Sequence, residues 1–79
     1  KNQSLNSNDL KVYPNPATSH VELDIPNETI MNVQVYDRKG MLVQETSDRV
    51  LDLSHEPGGL YFLRVQTANG FYSSKLIKL

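Results

Sequence analysis

Short stretches of alternating apolar and polar residues run along most of this chain, and Gly, Pro, Asn or Asp closes each one. Alternation with a period of two marks a strand with one face buried and one in water. The clearest instance is His20 to Ile25, with Val21, Leu23 and Ile25 on one face and Glu22 and Asp24 on the other. Leu10 and Val12 alternate ahead of it, in a strand that ends at Pro14-Asn15-Pro16, where two prolines remove backbone donors. Beyond Pro26-Asn27 the pattern predicts Met31, Val33 and Val35 inward, with Gln34 and Tyr36 outward. Asp37-Arg38-Lys39-Gly40 reads as a hairpin turn in which Gly40 can take positive φ.

Met41 to Thr46 then returns antiparallel, with Leu42 and Val43 competing for the inner face. Val50 to Leu53 is a short strand with Leu51 and Leu53 inward, and Pro57-Gly58-Gly59 turns the chain again. Tyr61, Leu63 and Val65 form the next inner face, opposite Phe62 and Arg64. Asn69-Gly70 is the strongest two-residue hairpin signal and favours a type I′ turn into the last strand, Phe71 to Leu79. Leu76 and Ile77 point in opposite directions there, and the pattern leaves open which one is buried. No segment holds a helical period over three turns. About seven short strands at regular spacing predict an all-β chain, an immunoglobulin-like β-sandwich of antiparallel strands. The Cys…Trp…Cys pattern of true immunoglobulin domains is absent, so only the architecture is expected.

At 79 residues with 38% hydrophobic content, the chain is one small domain with a thin core and modest stability. Residues 1–8 are polar apart from Leu5 and read as a linker remnant, leaving 9–79 as the domain. A chain that begins at Lys1 is expected to be a fragment of something longer. With no cysteine, neither a disulfide framework nor a cysteine metal site can form. No apolar run approaches the roughly 20 residues of a membrane span, and no signal peptide begins the chain, so no membrane insertion is expected. A net charge of −1 with scattered Lys and Arg argues against nucleic acid or an anionic membrane as partner.

The chemistry-bearing residues are sparse. His20 and His55 lack partners at metal-ligand spacing and read as surface residues. Ser54-His55-Glu56 holds the ingredients of a nucleophilic triad, but adjacent residues cannot line up as nucleophile, base and orienter. Asp48 and Asp52, with Asp9 or Glu56, could gather around calcium at one end of the sandwich, although solvated carboxylates near turns are the simpler reading. Glu22 and Asp24 share an outward face with no third ligand nearby. Asn27-Glu28-Thr29 fits a glycosylation acceptor in a turn, a match without meaning in a bacterial protein. Tyr36 and Phe62 form an aromatic pair suited either to sheet packing or to gripping a sugar ring. No catalytic residue, metal or cofactor is expected.

Taken in order, several segments resemble one family. Val12-Tyr13-Pro14-Asn15-Pro16-Ala17 followed by Val21-Glu22-Leu23 is similar to the "YPNPa…l.i" opening of the Por secretion system C-terminal sorting domain, the type IX secretion signal. Val33 to Asp37 with Gly40 to Val43 resembles its "v.vyd..Gk.v" hairpin. Leu51 to Ser54 followed by Gly58-Gly59-Leu60-Tyr61-Phe62-Leu63-Arg64-Val65 resembles "idls.l.aGvYlvrv", and Lys75-Leu76-Ile77-Lys78-Leu79 resembles the terminal "kkivk". Pro57-Gly58-Gly59 departs slightly, where the family usually shows a small residue before one glycine, and so does Leu79 in place of a terminal Lys.

The resemblance implies a non-enzymatic domain at the C-terminus of a fused cargo protein. Such a domain folds in the periplasm, meets the outer-membrane type IX translocon, and is often cut off upstream by a sortase-like cysteine peptidase. The cargo is thereby released or anchored at the cell surface. The expected recognition residues are Gly58, Gly59, Tyr61, Lys75, Leu76, Ile77, Lys78 and Leu79. In that reading an uncovered end strand accepts a partner by β-augmentation or carboxylate capture, and Lys75 and Lys78 are presented together. Tyr13, Pro14, Asn15, Pro16, Gly40, Asn69 and Gly70 are the structural motif residues. An uncovered edge also allows a weak homodimer. The alternatives are a generic immunoglobulin-like binding or spacer module, carbohydrate-binding among them, and an accessory domain that stabilises an enzyme.

Overall fold

The computed structural model describes residues 10–79, so the linker reading of residues 1–8 and the placement of Asp9 lie outside the described residues. Seven strands and no helix form among them: β1 (Lys11–Tyr13), β2 (His20–Asp24), β3 (Ile30–Asp37), β4 (Leu42–Thr46), β5 (Val50–Asp52), β6 (Gly59–Thr67) and β7 (Gly70–Lys78). They make two antiparallel sheets, one of three strands in the order β1-β2-β5 and one of four in the order β4-β3-β6-β7. The fourth strand pairs with β3 in the larger sheet. A constant-type immunoglobulin arrangement would place it with the first two. What is shared is the two-sheet architecture.

One cluster fills the space between the sheets. Val21 and Leu23 of β2, Leu51 of β5 and the flanking Ile25 and Leu53 meet Val33 and Val35 of β3, Leu63 and Val65 of β6, and Leu76 of β7, all at most 3% exposed. The alternation read from β2, β5 and β6 is therefore the one that folds. In the last strand the inner face belongs to Tyr72 and Leu76, while Phe71 and Ile77 face out.

Two local expectations are corrected and one open choice is settled. Met31 is 54% exposed, because the β3–β6 register shifts between Ile30 and Asn32 and brings Ile30 to the core instead. A similar shift between Val35 and Tyr36 in the β3–β4 pairing settles the competition between Leu42 and Val43: Val43 packs inward and Leu42 outward. Finally, Thr67 pairs directly with Gly70, so the last hairpin turns at Ala68-Asn69, one residue before the Asn-Gly position. The Thr67 hydroxyl accepts the Asn69 N–H at 3.1 Å, and neither central residue has the positive φ of a type I′ turn. Gly70, at φ +137°, instead opens β7.

The β3–β4 turn forms as expected. Gly40 sits at φ +86°, and the Asp37 carboxylate accepts the backbone N–H groups of Lys39 and Met41 at 2.9 and 3.0 Å.

Candidate recognition site

β7 lies at the edge of the larger sheet, yet its C-terminal half is not open. The segment between β1 and β2 crosses over and seals it. Asn15 does this with its side-chain amide, which replaces the peptide group that its proline neighbours cannot offer. Its Nδ2 donates to the Lys75 carbonyl at 3.1 Å and its Oδ1 accepts the Ile77 N–H at 3.0 Å. Ala17, fully buried, continues the seal: its N–H donates to Ile77 O and its carbonyl accepts Leu79 N–H, both at 2.8 Å. These two bonds form a parallel bridge centred on Lys78. Both Tyr13-Pro14 and Asn15-Pro16 are cis.

The expectation of an uncovered end strand is thus corrected: the outer backbone groups of β7 from the Lys75 carbonyl to the Leu79 N–H already have partners. Pro14-Asn15-Pro16 read as a ladder breaker because proline lacks an N–H. Nothing in the local pattern announces that the asparagine between them acts as a surrogate strand.

The expected recognition residues divide into three groups. Tyr61 and Leu76 are core residues, 4% and 0% exposed. The Tyr61 hydroxyl donates to the Pro57 carbonyl, and burial, helped by the nearby Glu56 and Asp37 carboxylates, pushes its pKa up. Gly58 and Gly59 brace the chain end. A Cβ on Gly58 would lie 3.3 Å from both Lys78 O and Leu79 C, tighter than most real contacts. Gly59, at φ +151°, pairs with Lys78. Of the expected residues at the chain end, Lys75, Ile77 and Leu79 are exposed on the outer side; Gly58 and Gly59 are exposed as well. Lys75 and Lys78 are not presented together, since three positions along a strand put them on opposite faces. Lys78 is half-buried, with Nζ 3.1 Å from Leu79 O.

The remaining candidates make local contacts only. His20 Nε2 lies 3.8 Å from Asp52 Oδ1. The Ser54 hydroxyl donates to Asp52 at 2.6 Å rather than to a histidine. Among the described residues no three His, Asp or Glu side chains gather as a metal site would require. Tyr36 and Phe62 are direct cross-strand neighbours.

A polar hub that periodicity could not reveal lies at the opposite end from Gly58. Glu28, in the β2–β3 connection, accepts Asn69 Nδ2 and the Tyr72 hydroxyl, each at 3.0 Å. Its backbone carbonyl accepts Arg49 Nη2 at 2.8 Å. Burial disfavours the Glu28 carboxylate, but hydrogen bonds from Thr67, Asn69 and Tyr72 together outweigh it and hold the pKa below the ordinary glutamate value. Asp52 is likewise lowered, first by the Ser54 hydroxyl and then by the Ser54 N–H. A group whose pKa is depressed in the folded state takes up a proton on unfolding at acid pH. Its contribution is full above the ordinary carboxylate pKa of about 4 and is lost as pH falls through the folded value. The thermal midpoint is accordingly expected to drop below about pH 4 and to be flat from pH 5 to 7. Glu28→Gln, followed by calorimetry across that range, is expected to shallow the acid limb.

The fold defines a small two-sheet β-sandwich with two outer sheet faces and a partly sealed edge at β7. The chain matches the family model described as the secretion system C-terminal sorting domain over residues 11–79, and it belongs to that family, the C-terminal sorting domains of type IX secretion. No curated protein matches it significantly. Members are sorting signals fused behind a cargo and recognised by the type IX machinery, a non-catalytic role that leads to the cell surface or medium.

Proposed function

We propose that this domain is the address by which a cargo fused ahead of it is handed, after folding in the periplasm, to the outer-membrane translocon. Cleavage upstream of the sandwich by a sortase-like cysteine peptidase then leaves the cargo at the surface or in the medium, with residues 1–8 as the remnant of the linker. The family match over residues 11–79 carries this reading. The exposure of Lys75, Ile77 and Leu79 supports placing recognition on the outer side of the C-terminal hairpin.

The test is a fluorescent reporter carrying residues 1–79 at its C-terminus, expressed in a host with an intact type IX translocon and in one lacking it. Reporter at the surface or in the medium of the first host only is the expected result. Equal distribution in both hosts would sink the proposal.

A further inference from the structure

We infer that the outer face of the four-stranded sheet is the surface that engages the secretion machinery, through a partner segment that presents apolar side chains flanked by Asp or Glu. This deepens the sorting function proposed above and rests on it. The register places Leu42, Tyr36 and Phe62 side by side across β4, β3 and β6, and Leu60 and Ile77 side by side one row away across β6 and β7. Leu60 and Phe62 are same-face neighbours along β6, so the two rows form one continuous apolar stripe. Leu42, Phe62 and Ile77 are 47%, 38% and 42% exposed, and no element of the described chain covers them. A contiguous exposed stripe of large apolar side chains on a small domain marks an interaction surface.

The charges around the stripe select the partner. Lys75 lies directly opposite Phe62 and Arg64 two residues further along β6, while exposed Arg38 and Lys39 line a shallow groove that Leu60 shares. None of these four cations is ion-paired among the described residues; Arg64 lies over the Phe71 ring at 4.1 Å. The nearby carboxylates are already engaged. Glu45 accepts from Asn32 and Gln34, Asp37 caps its own turn, and Glu56 accepts from Gln44. The outer face of the smaller sheet has the opposite balance, with Glu22, Asp24 and Asp52 against Lys11. Two copies of this domain joined by their larger sheets would set cations against cations, so the charge pattern favours a different, acidic partner over self-association.

The experiment uses the same reporter fusion with substitutions on each face. Phe62→Asp and the pair Arg64→Glu/Lys75→Glu are expected to lower the exported fraction by about tenfold or more, because an anchor aromatic or its steering charges are lost. Glu22→Lys, on the opposite face, is expected to export as the unsubstituted fusion does. Circular dichroism melts of the purified fusions check folding. If Phe62→Asp fails to melt cooperatively, the charge pair, which leaves the core untouched, decides alone. Export of the charge pair within about twofold of the unsubstituted fusion would overturn the inference while leaving the sorting function standing. Equal loss in Glu22→Lys would overturn it too, as would self-association of the unsubstituted domain that Phe62→Asp abolishes. An unsubstituted fusion that is not exported would overturn the sorting function and this inference together.

Discussion

Deleting residues 75–79 is expected to unfold the sandwich, so loss of export in such a truncation reports on folding before it reports on recognition. The deletion removes Leu76 from the core and strips β6 of its partners from Gly59 to Phe62. It also leaves Asn15 and Ala17 without the backbone groups they seal. A buried leucine alone is worth about 2–5 kcal/mol, and each lost hydrogen bond adds about 0.5–1.5 kcal/mol. A chain of this size has a total stability of only about 4–12 kcal/mol. The truncated domain is expected to lack a cooperative melt by circular dichroism and to be digested rapidly by a nonspecific protease. A melt like that of the intact domain would contradict the role assigned to these residues. Asn15→Ala isolates the seal: the fold should persist with about 1–3 kcal/mol less stability in urea unfolding.

Leu63→Ala is expected to destabilise the domain by about 2–5 kcal/mol, enough to unfold a substantial fraction at 37 °C. Leu63 is 1% exposed in β6, one of the two inner strands of the larger sheet, and belongs to the single buried cluster of mainly Leu, Val and Ile side chains. Urea titration should show a lower midpoint with an unchanged slope. Ile77→Ala, on the outward face, is the matched control and should cost no more than about 0.5 kcal/mol. Equal losses at the two positions would mean that the inner and outer faces are misassigned.

Most of the framework was legible because a strand with one face in water writes its orientation into every second residue. Val21, Leu51, Leu63 and their neighbours fell where the alternation put them. The errors arose where the period breaks. At Met31 a register shift inverts the parity, and no residue type announces it. At the last hairpin the Thr67 hydroxyl outcompetes the Asn-Gly signal by holding Asn69 in an ordinary turn. The proposed recognition surface was harder to read. The pattern left the buried face of the C-terminal strand open, and the structure turns Lys75, Ile77 and Leu79 outward while Leu76 and Tyr61 are core. The apolar stripe joins residues from β3, β4, β6 and β7, which only the sheet order brings together. Asn15 and Glu28 reach partners more than forty positions away, beyond any local pattern.

The contact between Ala17 and Ile77 ties an early segment of the domain to a late one. A polypeptide whose synthesis stops short of residue 75 has nothing for that early segment to close upon, and its half-made sandwich stays open to proteases. Closure of the sandwich is thus expected to wait on residues 75–79, since both of the Ala17 backbone bonds end there.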